Sequence, residues 1–158
     1  MRNRVTPESE IVAIPLRGQL MGNRGALHVG HDIVRPWNGR RWLICDPKFK
    51  DRKIPQWRPG RWTALFFHDE AVALAAGHRP CAECRRERYE AYRDAWGGRP
   101  SADDMDRRLH TERLDGRIQR RHPVVLDRLP AGTFVWVDDG PALVLADRLV
   151  PWTHQGYG

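Results

Sequence analysis

A chain of 158 residues is long enough for one domain with a real hydrophobic core, with room for a small appended subdomain. Apolar residues make up 41% but never form a run near the ~20 residues of a membrane-crossing helix, which excludes that class. The formal charge of +7 is unevenly placed, because residues 1–61 hold 13 Lys/Arg against 5 Asp/Glu while residues 129–158 hold 1 against 3, and such a basic excess attracts polyanions, nucleic acid foremost.

The opening MRNRVTPESEIVAIPLRG is basic, but Pro15 breaks its apolar patch, so it has no secretory h-region and a cytoplasmic protein is expected. Within it EIVAIPL reads as one short strand, and MGNRGALHVGHDIV as turns around another. A strand is predicted at about 40–46, stopped by Asp46-Pro47, and a second at 61–67 in RWTALFF. Asp69 is a good N-cap for the helical EAVALAA, and Gly77 is its stop. A longer helix is predicted from about Ala82 to Trp96, with Tyr89, Tyr92 and Trp96 on one face. GGRPSADD is a linker, and Ser101 caps a charged helix at about 102–115. The tail, PAGTFVWVDDGPALVLADRLVPW, predicts two or three short strands, with DDG a hairpin turn between Val137 and Ala142.

The chain has three cysteines, Cys45, Cys81 and Cys84. An odd count without a secretion signal argues against a disulfide framework, and the C-x-x-C pair points to metal or redox chemistry. His68, Glu70, Pro80, Cys81 and Cys84 have the residue types of a zinc-dependent deaminase in the right order. Their spacing is wrong for one. Only nine residues separate Glu70 from Pro80, and a deaminase needs both a helix and a returning strand in that gap. A two-turn helix and its stop already fill it. His68 and Glu70 therefore read as a strand end and a helix start.

The segment DEAVALAAGHRPCAECRR resembles the Ada-type zinc-binding module of bacterial methylation-repair proteins. The matching residues are Glu70, Ala71, Ala73, Ala75, Ala76, Gly77, Arg79, Pro80, Cys81 and Cys84, with His78 where that module usually has an aromatic residue. The resemblance implies that Cys81 and Cys84 are one ligand pair of a structural zinc. A C-x-x-C entering a helix aims two thiolates at one cation, and the helix N-terminus favours their charge. The other pair departs from the module, since only Cys45 precedes the helix and Phe49 stands four places on. A Cys₃His site of His28, Cys45, Cys81 and Cys84 is expected, with His31 or His68 able to take the place of His28. In the resembled family one zinc cysteine also accepts a methyl group from DNA, and Cys45 is the one counterpart.

The basic arm interleaves Lys and Arg with tryptophans. Trp42 and Trp62 read as core residues under arginine heads, and Trp37 and Trp57 as more exposed. Candidate contacts to nucleic acid are Arg40, Arg41, Lys48, Lys50, Arg52, Lys53, Arg58 and Trp57: cations for phosphates, an indole for stacking. His110 and Glu112, two apart on a helix, do not share a face and make a poor acid/base pair. The expected fold is α+β. A zinc-centred module with its basic arm spans 1–96, and a helix with a small β-rich subdomain spans 97–158, the two together able to form one domain. The expected function is zinc-stabilised binding of nucleic acid, DNA foremost, in repair or defence. An enzyme acting on nucleic acid (a nuclease, a base-modifying enzyme or a methyl acceptor at Cys45) and a zinc-structured protein-interaction module are the alternatives.

Overall fold

The computed structural model describes residues 1–54 and 56–158. Strands β1 (Arg4–Val5), β2 (Ile11–Val12), β3 (Leu20–Asn23), β4 (His28–Val29), β5 (Asp32–Ile33), β6 (Leu43–Cys45) and β7 (Leu65–Phe67) precede helix α1 (Glu70–Ala75). Strand β8 (Arg79–Pro80) leads to helices α2 (Arg86–Trp96) and α3 (Ala102–Arg113). The hairpin β9 (Leu114–Asp115) and β10 (Ile118–Gln119) follows, then β11 (Phe134–Val137), β12 (Gly140–Val144), β13 (Leu149–Thr153) and β14 (Gly156–Tyr157). Short strands and three helices make this an α+β fold, as the sequence implied.

The central sheet has the order β2-β1-β7-β3-β6-β8. Two of its pairings, β1 with β7 and β6 with β8, are parallel. The strands predicted at 40–46 and 61–67 form only over 43–45 and 65–67, and local bonds fix the residues before each. The Trp42 indole closes a turn onto the Gly39 carbonyl. The Thr63 N–H donates to the Gly25 carbonyl, and that of Arg61 to Arg58. Gly22 is in β3 because a Cβ there would lie 2.6 Å from the Phe67 ring.

Helix α1 buries Val72 and Ala73 and begins where the sequence places it, with the Asp69 carboxylate accepting the Val72 N–H at 2.9 Å. Gly77, at φ +87°, ends it in a left-handed conformation that residues with a Cβ rarely adopt. Helix α2 starts at Arg86 rather than Ala82, since residues 82–85 are a turn in which Arg85 N–H donates to Cys81 C=O. Ser101 caps α3 by accepting the Asp104 N–H. This helix stops at Arg113, short of the expected 115, because Leu114 is extended and Gly116 takes φ +64° to turn the β9–β10 hairpin.

One core holds both halves of the chain. Val5, Ile11, Leu27, Ile44, Leu65, Phe67 and Val72 pack with Trp152, and Phe134 and Tyr157 cover the cluster. Tyr157 donates its hydroxyl to Asp69 at 2.7 Å, tying β14 to the cap of α1. Arg79 of β8 makes a buried bidentate pair with Asp106 of α3, at 2.6 and 2.9 Å. No helix is long and apolar enough to cross a membrane among the described residues.

Candidate metal centre and its basic surroundings

The parallel pairing of β6 with β8 builds the thiol cluster. Cys45 is the last residue of β6, and Ile44 stands opposite Pro80. The Cys81 N–H donates to the Ile44 carbonyl at 2.9 Å, which lays Cys81 beside Cys45. The turn at 82–85 then returns Cys84 toward both. The three sulfur atoms lie within 4.8 Å of one another. Cys45 is buried and the other two are half-buried, among Met21, Ala64, Trp62 and Phe66.

A hydrogen bond with Cys81, then burial, pushes the Cys45 thiol well above its ordinary range. The same bond pulls Cys81 down to about 5, with help from the backbone N–H groups of Cys84 and Glu83. Burial raises Cys84, against the Asp46 N–H that donates to its sulfur at 3.3 Å. Backbone donors aimed at sulfur, and three soft ligands within one ion's reach, fit a thiophilic cation such as zinc.

The structure brings Cys45, Cys81 and Cys84 together and leaves His28 outside. His28 is spent on a local network. Leu27 N–H donates to Thr63 Oγ1 at 2.8 Å. The Arg58 carbonyl can only accept, so His28 Nε2–H donates to it at 2.9 Å and Nδ1 takes the Thr63 hydroxyl proton. Neither alternative histidine joins the thiols. The His31 ring lies against Trp57, and the His68 ring against Tyr157. Glu70 is paired with Arg85 and Arg88. Among the described residues no fourth Cys, His, Asp or Glu completes the group.

The basic loop hangs from this cluster. Asp46, which donates to Cys84, accepts the Lys48 N–H through its carboxylate at 2.9 Å. Arg52 approaches Glu83, between the two C-x-x-C cysteines, at 3.7 Å. Lys50 and Arg52 flank the Phe49 ring. Lys48, Lys50, Arg52 and Lys53 are all exposed, as are Arg40, Arg41 and Arg58. Arg41 leans toward Asp103 and Asp106 on α3, and Trp57 is half-buried between His28 and His31.

Sequence reasoning missed a second charged centre at the other end of the same strands. Trp42 precedes β6 and His78 precedes β8. Around Trp42 stand two arginines, Arg24 at 4.2 Å and Arg113 at 4.1 Å from the ring centroid. Arg24 is 1% exposed, and its donors meet only neutral acceptors: His78 Nε2, Ser9 and the Pro36 carbonyl. Arg113 donates to the carbonyls of Gly77 and Arg40. Burial, with repulsion from Arg113, lowers Arg24 to about 9, and burial lowers Arg113 to about 10. The local sequence GNRG gives no hint that its arginine is interior.

No family model, curated protein or solved structure matches this chain.

Proposed function

We propose that the protein binds nucleic acid, DNA foremost, through a basic surface held in shape by one structural zinc. The ligands in this reading are Cys45, Cys81 and Cys84, in a segment of Ada type. The observation that carries it is the attachment of the basic loop to the thiol cluster, through Asp46 to Cys84 and through Arg52 to Glu83. Zinc, when bound, supplies a fixed cross-link between the end of β6 and the turn before α2. The chain's own residues do the rest. Lys48, Lys50, Arg52 and Lys53 present four cations to solvent on a loop whose first residue is pinned. Such cations take phosphates and release counterions, a contribution that weakens steeply with salt. The repair or defence setting rests on the Ada-type resemblance.

The test is binding of labelled duplex DNA at 50 and 200 mM salt by the zinc-loaded protein. Affinity falls steeply between the two, and the Lys48→Glu/Lys50→Glu/Lys53→Glu protein binds at least about ten-fold more weakly. Absence of salt-sensitive binding to any DNA or RNA overturns the reading and leaves an interaction module. Metal analysis returns one zinc per chain, lost in Cys45→Ser and in Cys81→Ser. Zinc retained in both variants removes the thiol cluster from the account.

One observation favours a second reading, an enzyme acting on nucleic acid. Among the described residues three ligands are grouped, and catalytic zinc sites keep a fourth position open for water or substrate. Turnover of a labelled oligonucleotide that disappears in Cys81→Ser while DNA binding persists would select it.

A further inference from the structure

A groove of about 1170 Å³ opens over the buried Arg24. It exceeds the roughly 300–1,000 Å³ of small-molecule sites, which suits an extended ligand. It is lined by the segment from Ile33 to Trp37 and by the β9–β10 hairpin with Arg120 and Arg121. Ser9 to Ala13 and the buried Arg24 and Trp42 also line it.

Its charge is unbalanced. Arg2, Arg24, Arg35, Arg117, Arg120 and Arg121 line it against Glu8, Glu10 and Asp115. Among the described residues none of those six arginines lies within 4.0 Å of a carboxylate. The buried one has only neutral acceptors, so its charge is uncompensated where burial makes that costly. Apolar surface is set between the cations. Val34 is 52% and Ile118 70% exposed in the groove lining, and Trp37 in the same lining is half-buried.

We propose that this groove binds a single-stranded segment of nucleic acid, its phosphates on the arginines and its bases against Trp37, Val34 and Ile118. This rests on the nucleic-acid-binding reading and gives it a place apart from the 48–53 loop. Alternating cations and flat or apolar side chains are what a single strand presents surfaces for: a charged backbone and unstacked bases. In a duplex those faces are buried by stacking on the neighbouring base pairs, so a single strand is preferred.

Binding of labelled (dT)₁₂, (rU)₁₂ and a 12-base-pair duplex is measured as a function of salt, with inorganic tripolyphosphate as competitor. The expected order is single strand over duplex. Arg35→Gln/Arg117→Gln/Arg121→Gln lowers the slope of log K against log salt for (dT)₁₂ by about 2, as three lost phosphate contacts require. Trp37→Leu weakens (dT)₁₂ at least about five-fold and leaves tripolyphosphate competition unchanged. An unchanged slope in the arginine variant, with binding lost instead on charge reversal of Lys48, Lys50 and Lys53, overturns the groove and spares the nucleic-acid reading. No binding of any oligonucleotide overturns both. Wild-type binding that tripolyphosphate displaces at equal phosphate concentration, with Trp37→Leu indistinguishable from wild type, also overturns the groove as a nucleic-acid site. Circular dichroism of each variant confirms the fold, and the wild-type strand-over-duplex preference tests the groove without any variant.

Discussion

His78 shows how much a single residue decides. Its Nε2 accepts from Arg24 at 3.1 Å, and its ring lies on Phe67 and Trp42. Burial, then Arg24 and Arg113, hold it well below the ordinary histidine range. A folded-state pKa below the unfolded value of about 6.5 means that the unfolded chain takes up the proton first. The stability this represents is complete above about pH 6.5 and is lost as pH falls from there toward the folded value. Urea unfolding at pH 7.5 and 5.5 is therefore expected to show a loss that is about 1 kcal/mol smaller in His78→Phe than in wild type. An equal loss in both proteins would remove His78 as the source. Of the residues, the cysteines were legible because thiols are rare and their spacing is chemical. His28 was not, because a histidine that bonds Thr63 and one that binds zinc look alike in sequence. Arg24 was hidden for the opposite reason: arginine is almost always exposed, and what reverses this here is a tryptophan from elsewhere in the chain.

Elements with their own punctuation were readable. Helices α1 and α3 begin at Asp69 and Ser101 because each side chain accepts a backbone N–H of the first turn. Strand β9 falls within the helix expected at about 102–115, since Arg-rich sequence tolerates either state and only Asp115-Gly116 marks the turn. The β11–β12 hairpin announced itself through Asp138-Asp139-Gly140, and it pairs Val137 with Gly140. Asp69 does two jobs, capping α1 with one carboxylate oxygen and accepting Tyr157 with the other. Asp69→Ala is expected to cost about 2–3 kcal/mol in urea unfolding, from a lost cap and an orphaned hydroxyl. Asp69→Asn, which keeps the acceptor for the cap, is expected to cost less than half of that. Equal losses would mean that charge, not hydrogen-bond geometry, sets the effect.

At the scale of the molecule, Arg79 and Asp106 join the strand beside the thiol cluster to the helix that leads into the hairpin lining the groove. Both side chains are nearly inaccessible, 3% and 2% exposed. Among the described residues, removing Asp106 leaves the buried Arg79 with only the Pro80 carbonyl, and removing Arg79 leaves the buried Asp106 with only Arg41 at 4.0 Å. Arg79→Met or Asp106→Leu alone is expected to cost about 3–5 kcal/mol, and the double variant less than the sum, measured by urea unfolding of all three. Strict additivity would show that the pair is not coupled. The α+β class followed from local patterns, but the sheet order did not. Parallel pairings such as β6 with β8 depend on contacts far apart in the chain, which no local pattern encodes.

The packing of Trp152 against the core that contains Val5 and Ile11 constrains how the chain can be made. A ribosome adding about 5–20 residues per second presents the first strands on the order of ten seconds before this indole arrives. During that interval Phe67, Leu65 and Ile44 have a sheet to join but lack part of their cover. Closure of this core therefore waits until the residues around Trp152 have been made.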